Sequence, residues 1–212
     1  MKAIIFDMDG VIADTEPLHF ESLNMVLANY NIKLPDSSFG KYIGLSEEDT
    51  WKMIKSEYNL YVTIDELMRE RRDYIFDLIE RLKPAKRLYL LLNQLDKHKL
   101  ALVSSSDRAI VTSVINKLKL QGYFDVIVTG DDVTNKKPDP EPYLLALRKL
   151  RLGPEDCIVI EDSPPGVKSA KGAGIRCIAL THTYRKDELQ ADFHTESIAE
   201  LNLKTIKGVM NG

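Results

Sequence analysis

Short apolar runs rich in β-branched residues alternate with longer segments of helical periodicity along most of this chain. Five such runs lie at residues 3–6, 100–103, 126–128, 158–160 and 177–180. A strand that is buried on both faces has a near-continuous apolar sequence, as in a parallel sheet covered by helices. The alternation therefore predicts an α/β fold with a Rossmann-like parallel sheet.

Helical periodicity separates the last four apolar runs. At residues 107–118 and again at 141–150, apolar positions recur three and four residues apart after an acidic start. Residues 164–173 predict a shorter helix with proline in its first turn. These segments are the crossover helices that connect neighbouring parallel strands.

More than eighty residues separate the first apolar run from the second, which is too long for an ordinary crossover. Helical spacing recurs within this stretch at 17–30 and 65–82, and Ser46-Glu47-Glu48-Asp49 has the composition of a helix start. We therefore expect an inserted, small α-helical cap domain. The predicted bounds are 14–84 for the cap domain and 1–13 with 85–212 for the Rossmann-like core domain.

Composition and charge exclude several classes of protein. Apolar residues make up 44% and charged residues 29% of the 212 positions, as in ordinary globular domains. A net charge of −3 argues against a nucleic-acid surface, and no apolar stretch reaches the roughly 18 residues that span a bilayer. The two cysteines, Cys157 and Cys177, predict buried structural thiols in a cytoplasmic protein. Without a long apolar heptad repeat, we expect a monomer that binds neither nucleic acid nor membrane.

Asp7 and Asp9 follow the first apolar run, where the predicted strand ends. Residues two apart on an extended chain point to the same side, so both carboxylates face one edge of the sheet. Two close carboxylates favour a hard cation, and Mg²⁺ is typically bound by one or two carboxylates together with substrate phosphate. The two aspartates alone are equally compatible with a solvated acidic turn.

Three later polar segments also lie at or beyond the carboxyl ends of predicted strands. Ser104-Ser105-Ser106-Asp107 offers hydroxyls and amides at a helix start, which suits either helix capping or phosphate binding. Lys136-Lys137-Pro138-Asp139-Pro140 is stiffened by two prolines and could direct an ammonium group at the carboxylates, although a solvated turn is the simpler interpretation. Glu161-Asp162-Ser163 places two more carboxylates after a buried strand, where a second pair of metal ligands is expected.

Taken together and in this order, these segments resemble the four motifs of the haloacid dehalogenase superfamily. Asp7-Met8-Asp9-Gly10-Val11 resembles the first motif, and Ser104 after an apolar strand resembles the second. Lys137 resembles the third, and Glu161-Asp162-Ser163 the fourth. Within the superfamily, residues 14–19 and Gly166-Val167 resemble the group of β-phosphoglucomutases and sugar phosphatases.

The resemblance implies a phosphoric monoester hydrolase that works through an aspartyl-phosphate. Asp7 would attack the phosphoryl group, and Asp9 would protonate the leaving oxygen and then activate water. Ser104 and Lys137 would bind and neutralise the phosphoryl oxygens, together with the amide of Ser105. The implied Mg²⁺ ligands are Asp7, the main-chain carbonyl of Asp9, and Asp162, with Glu161 acting through water or orientation.

The phosphoryl acceptor is water in a phosphatase and a sugar hydroxyl in a mutase. Resembling mutases carry an arginine after Gly-Val-Ser in the cap, whereas this chain has Gly44-Leu45-Ser46-Glu47, and Glu47 would repel a second phosphate. Asp107-Arg108 also replaces the Lys-Asn of those mutases. The remaining cap cations lie on predicted solvated helix faces and include Lys52, Lys55, Arg69, Arg71 and Arg72.

We therefore expect a Mg²⁺-dependent phosphatase that acts on a small phosphorylated metabolite, of the sugar phosphate or phosphoglycolate type. A phosphomutase of the β-phosphoglucomutase type is the alternative, and a non-catalytic binding module on the same fold is a third. The resemblance further implies substrate contacts at Thr15, His19, Glu47, Ser105 and Arg108. His19 is equally compatible with a packing role on its helix.

Overall fold

The computed structural model describes residues 1–42 and 47–211 and contains the predicted parallel sheet. The chain divides into two compact units, Met1–Asp14 with Lys83–Gly212, and Thr15–Leu82. The first unit carries the sheet, and the second is helical. The bounds 14–84 for the cap remain our proposal for the functional division of the chain.

The sheet has six parallel strands in the order β3-β2-β1-β4-β5-β6. The strands are β1 (Ala3–Asp7), β2 (Lys99–Val103), β3 (Val126–Val128), β4 (Cys157–Glu161), β5 (Arg176–Leu180) and β6 (Phe193–Thr195). All five predicted apolar runs form strands. The sequence analysis missed β6, because this edge strand is short and none of its residues is buried.

The order of the strands places two carboxylates next to each other at the carboxyl edge. Chain connections run in opposite directions from β1 and β4, which is where doubly wound sheets bind their ligands. β1 ends at Asp7 and β4 ends at Glu161, and Phe6 pairs with Ile160 in the register between them. All residues of both strands are buried, which accounts for their apolar sequences.

Helices connect the strands and carry the apolar faces that cover the sheet. They are α5 (Leu88–Gln94), α6 (Arg108–Lys117), α7 (Glu141–Leu150), α8 (Pro164–Gly172) and α9 (Leu203–Asn211). α7 packs on β2 and β3, and α8 packs on β4 and β5. Asp107 caps α6 by accepting a hydrogen bond from the Ile110 amide at 2.9 Å, so the capping interpretation of this segment is confirmed.

The helical unit contains α1 (Glu16–Ala28), α2 (Phe39–Tyr42), α3 (Glu47–Tyr58) and α4 (Ile64–Ile79). Its core surrounds the fully buried Trp51 and Leu67. Thr63 and Glu66 form a capping box that starts α4. The predicted helix start at residues 46–49 lies partly outside the described residues, which resume at Glu47 within α3.

One expectation for the helical unit is wrong. Arg71 on α4 was placed on a solvated helix face, yet it is only 5% exposed. The guanidinium is buried because Glu47, His19 and Ser22 supply partners for it, as described below. Among residues 1–42 and 47–211, no helix is long and apolar enough to cross a membrane.

Candidate active site

Lys137 joins the two carboxylates that end the central strands. Its Nζ atom lies 2.5 Å from Asp7 Oδ1 and 2.7 Å from Glu161 Oε1, and it also donates to the Val103 carbonyl at 3.1 Å. An ammonium group has three protons, and these three acceptors use all of them. Lys137 reaches the site from the loop after β3, where the Lys137–Pro138 peptide bond is cis. The three hydrogen bonds hold the ammonium beside Asp7.

Glu161 is fully buried and is saturated by hydrogen bonds. Its Oε1 accepts from Lys137 and, at 3.0 Å, from the hydroxyl of Tyr143. Its Oε2 accepts from the amides of Asp162 and Ser163 and from the Ser163 hydroxyl, at 2.9 to 3.1 Å. Ser163 is the N-cap of α8, so the carboxylate lies against the electropositive end of that helix. This environment stabilises a buried negative charge.

The loop after β1 directs Asp9 toward the hydroxyls that follow β2. Asp9 Oδ2 lies 3.4 Å from the hydroxyl oxygens of both Ser104 and Ser106. Ser104 is buried, and its hydroxyl accepts a hydrogen bond from the Ser106 amide at 3.1 Å. Asp9 therefore lies beside the segment that the motifs assign to phosphate binding.

Asp162 approaches the β1 loop closely, and glycine makes this approach possible. Gly10 has a φ of +70°, and a Cβ atom at this position would lie 1.9 Å from Asp162 Oδ2. Gly166 plays the same part for Glu161, since its Cβ would lie 1.7 Å from Oε1. His182 also lies near Asp162, with Nε2 at 3.9 Å from Oδ2. A side chain at position 10 or 166 would therefore collide with the carboxylate of Asp162 or Glu161, respectively.

The acidic residues at this edge form a group that could hold a divalent metal ion. One carboxylate oxygen from each of Asp7, Glu161 and Asp162 lies within 4.8 Å of the others, and all three residues are buried. Oxygen donors in this number suit a hard cation. Both oxygens of Glu161 accept two or more hydrogen bonds from protein groups, which leaves this carboxylate little capacity for direct coordination.

The charges of the site shift the pKa values of its groups. Burial and the neighbouring charge of Glu161 raise the pKa of Asp7 well above its usual value, while Lys137 opposes that shift. Burial would lower the pKa of Lys137, but the charges of Asp7 and Glu161 outweigh this and raise it. A bound cation would favour the ionised form of Asp7.

The other candidate residues of the core unit lie at the rim of this site or beyond it. Ser105 is exposed between Ser104 and Ser106. Arg108 is paired with Asp132, with Nη2 at 2.5 Å from Oδ1, and its amide donates to Asp131. The guanidinium of Arg108 therefore already has an acidic partner.

Three of the residues predicted to contact the substrate, Thr15, His19 and Glu47, lie in the helical unit. Arg71 Nη1 lies 2.9 Å from Glu47 Oε1, and Nη2 lies 2.9 Å from His19 Nδ1. Arg71 Nε donates to the Ser22 hydroxyl at 2.8 Å. We call these four residues the Arg71 cluster. Thr15, at the N-cap of α1, is buried, and the His19 amide donates to its carbonyl at 3.0 Å.

Sequence reasoning missed the contributions of Tyr143 and Ser106 to the site. Tyr143 lies in the helical pattern at 141–150, where it reads as an ordinary apolar position. Ser106 was considered only as a cap or anion-binding residue, whereas its hydroxyl lies against Asp9. The prolines near Tyr143 do not indicate a role for it in the site. A tyrosine on the apolar face of a helix that covers a strand ending in Glu161 could have indicated that role.

Comparisons with known proteins agree with this geometry. A model of the haloacid dehalogenase-like hydrolase family matches residues 4–180. A phosphorylated carbohydrates phosphatase of Thermotoga maritima is 36% identical over 187 residues, covering 86% of this chain and 87% of the relative. A β-phosphoglucomutase of Bacillus subtilis is 30% identical over 217 residues, covering 97% and 94%.

A solved structure shares the fold over nearly the whole chain. CbbY from Rhodobacter sphaeroides, in complex with phosphate, has a TM-score of 0.87 at 27% identity, covering 98% of this chain and 99% of that chain. The phosphatases among the relatives confirm the expectation of a phosphoric monoester hydrolase, while the mutase among them leaves the acceptor undecided. The chain belongs to the haloacid dehalogenase-like hydrolase family, which the four motifs predicted.

Proposed function

We propose that this protein is a Mg²⁺-dependent phosphatase that hydrolyses a small phosphorylated metabolite through an aspartyl-phosphate on Asp7. The metabolite is of the sugar phosphate or phosphoglycolate type. The observation that carries the proposal is the contact of 2.5 Å between Lys137 Nζ and Asp7 Oδ1, beside a buried acidic group. A carboxylate fixed in this way is a nucleophile whose orientation is set before substrate binds.

The residues of the core unit divide the work of phosphoryl transfer. A carboxylate oxygen of Asp7 forms a bond to phosphorus while the bond between phosphorus and the ester oxygen breaks. Asp9 gives its proton to the leaving oxygen and later takes one from the water that attacks phosphorus. The bond between phosphorus and Asp7 then breaks, which releases phosphate and restores the Asp7 carboxylate. Ser104 and the Ser105 amide bind phosphoryl oxygens. Lys137 offsets the negative charge near Asp7.

Asp7, Asp162 and the main-chain carbonyl of Asp9 would hold Mg²⁺, with Glu161 orienting the group from outside it. The carboxylate oxygens at 4.8 Å or less from one another support this assignment. When bound, Mg²⁺ supplies positive charge that offsets the phosphoryl oxygens and the crowded carboxylates. The protein residues then set the orientation of the nucleophile and the path of the proton.

The Arg71 cluster supports water as the phosphoryl acceptor. A mutase must bind a second, non-transferring phosphate, and arginine is the side chain best suited to that task. Arg71 is instead paired with Glu47 at 2.9 Å, and its other donors contact His19 and Ser22. Its charge is therefore largely neutralised. We propose that Glu47 and His19 contact hydroxyl groups of the substrate, together with Thr15, and that Arg108 contributes from the core unit.

A phosphomutase of the β-phosphoglucomutase type is the second candidate, and the Bacillus subtilis relative favours it. A non-catalytic module is disfavoured by the cost of keeping Asp7, Glu161 and Asp162 buried together. The buried, unpaired thiols of Cys157 and Cys177 support our proposal of a reducing, cytoplasmic setting. We expect a monomer.

A phosphate-release screen tests the proposed function. Small phosphomonoesters are incubated with enzyme and Mg²⁺, and β-glucose 1-phosphate with a bisphosphate primer is assayed in parallel for isomerisation. We expect phosphate release from at least one sugar phosphate or from phosphoglycolate, and its loss in EDTA. Efficient isomerisation with little phosphate release would instead establish the mutase.

A further inference from the structure

The buried hydroxyl of Tyr143 needs a physical explanation. Tyr143 is 0% exposed and belongs to an apolar cluster with Val103, Val128 and Val159. Phenylalanine would fill the same volume without a polar atom, and a buried hydroxyl costs free energy unless it is hydrogen-bonded. Its hydrogen bond goes to Glu161 Oε1 at 3.0 Å. The polar atom of this side chain is thus directed at the reacting centre.

Tyr143 contacts both members of the ion pair next to Asp7. Its hydroxyl shares Glu161 Oε1 with the Lys137 ammonium, and its ring centroid lies 5.1 Å from Lys137 Nζ. A cation over the face of an aromatic ring is attracted by the ring's negative face. One side chain on α7 therefore restrains Lys137 directly and through Glu161.

This arrangement matters because Lys137 has no spare proton. Its three donors are taken by Asp7, Glu161 and the Val103 carbonyl. If Glu161 rotated, the ammonium would lose one of three acceptors and could turn away from Asp7. The Oε2 side of Glu161 is held by the start of α8, whereas side-chain donors hold the Oε1 side.

We propose that Tyr143 is a positioning residue of the phosphoryl-transfer centre: its hydroxyl fixes Glu161 in the orientation that presents Lys137 to Asp7. The proposal rests on the proposed function. The hydroxyl of Tyr143 donates to Glu161 Oε1 and its ring faces Lys137 Nζ, so its effect on turnover passes through Glu161 and Lys137. It connects α7 with the ends of β1 and β4.

The test uses Tyr143→Phe, Glu161→Gln and the double variant, assayed with Mg²⁺ and a phosphomonoester such as p-nitrophenyl phosphate. We expect Tyr143→Phe to lower kcat about three- to tenfold at unchanged KM, and Glu161→Gln to lower it further. Because the hydroxyl acts through Glu161, the double variant should be no slower than Glu161→Gln alone. Losses that multiply in the double variant, or wild-type kcat in Tyr143→Phe, would overturn the proposal.

Tyr30→Phe is the matched control, because the Tyr30 hydroxyl also donates to a carboxylate, Glu70 Oε1, at 2.7 Å, but within the helical unit. This variant should keep wild-type kcat. A loss in kcat equal to that of Tyr143→Phe would show a general effect of losing a hydroxyl that donates to a carboxylate and would count against the proposal.

A second measurement requires no activity. Metal-free protein is treated with an amine-reactive reagent, and modification of Lys137 is followed by peptide mass spectrometry. We expect Lys137 to react at least fivefold faster in Tyr143→Phe than in the wild-type protein, with no change at the exposed Lys136. Equal rates at Lys137 would contradict the proposal. A wild-type protein that hydrolyses no phosphomonoester would contradict the proposed function, and the labelling rates would still decide the role of Tyr143.

Discussion

Within residues 1–42 and 47–211, charge is buried in two clusters, and the clusters differ in their balance of charge. At the carboxyl edge of the sheet, Asp7, Glu161 and Asp162 are buried together, and the Lys137 ammonium pairs with the first two. In the Arg71 cluster, one guanidinium faces one carboxylate, with a hydroxyl and an imidazole as further partners. Only the first cluster has an excess of negative charge among the described residues.

The difference indicates what each cluster is for. Burying unpaired charge is costly, so an acidic excess persists where a cation or a reaction uses it. The raised pKa of Asp7, caused by burial and Glu161, expresses this excess. The Arg71 cluster is balanced and needs no further ligand to be stable. We therefore expect the sheet-edge cluster to control activity and the Arg71 cluster to control stability and substrate choice.

The largest expected effect comes from removing the nucleophile. Asp7→Asn keeps the size of the side chain but not its charge, so turnover should fall by at least about four orders of magnitude, while the protein remains folded. Phosphate release and thermal unfolding measure the two properties. Asp187→Asn, at an exposed ion pair with Arg185, is the control and should keep full activity. Substantial Mg²⁺-dependent turnover by Asp7→Asn would refute the assignment.

Lys137→Met should have the next largest effect, because it removes the cation from the acidic cluster while keeping the length of the side chain. We expect kcat to fall about 10²- to 10³-fold. The metal-free protein should lose about 3 kcal/mol of stability, since buried carboxylates lose their partner, and Mg²⁺ should restore part of it. The neighbouring Lys136→Met is the control. If the two variants lowered kcat equally, the buried ammonium of Lys137 would have no special role in activity, and the contrast between the two clusters would fail.

Arg71→Met should reduce stability rather than the chemistry of bond cleavage. The change leaves Glu47, His19 and Ser22 without their shared donor, at a cost of about 2–4 kcal/mol in the free energy of unfolding. Urea denaturation measures the loss. Arg69→Met on the same helix, at an exposed position, should cause little change. If the two variants were equally stable, the Arg71 cluster would not be a stabilising feature of the helical unit.

Mg²⁺ should stabilise the protein by a smaller amount. At a concentration ten times its dissociation constant, a ligand that binds only the folded state adds about 1.4 kcal/mol. For a chain of this size, the melting temperature should rise by roughly 3–6 °C. Asp162→Asn should abolish the rise, whereas Glu47→Gln in the Arg71 cluster should preserve it. A rise of equal size in Asp162→Asn would place the ion elsewhere.

The two thiols should show almost no reactivity in the folded protein. Burial raises the pKa of Cys157 to about 11 and that of Cys177 well above its usual value, so both remain protonated at pH 8. The thiolate is the reactive form. A colourimetric disulfide reagent at pH 8 should therefore modify neither thiol on the time scale that suffices in denaturant. Rapid modification of the native protein would show that the β4–β5 region opens readily.

The amount that could be predicted differs between the clusters for a physical reason. The motifs of Asp7, Ser104 and Glu161 lie at or directly after the end of an apolar run, and the Lys137 motif is marked by its two prolines; these are local signals. Because the carboxyl ends of parallel strands lie at one edge of the sheet, the sequence predicts that Asp7 and Glu161 lie near each other even before any contact is observed. The pairing of Arg71 with Glu47 has no local signal. A charged residue on an amphipathic helix is expected in solvent, and only the packing of α1, α3 and α4 supplies partners that allow it to be buried.

The sequence alone determined the α/β class, five of the six strands, the family and the residues of the four motifs. Periodicity and motif spacing are properties of residues that are close in sequence, so they can be recognised without a structure. Tertiary structure decided that Lys137 reaches Asp7 across 130 residues, that Tyr143 bonds to Glu161 and that Arg71 is neutralised by Glu47. Such contacts depend on how elements distant in sequence pack, and hydrogen-bonding side chains acquire their partners only then.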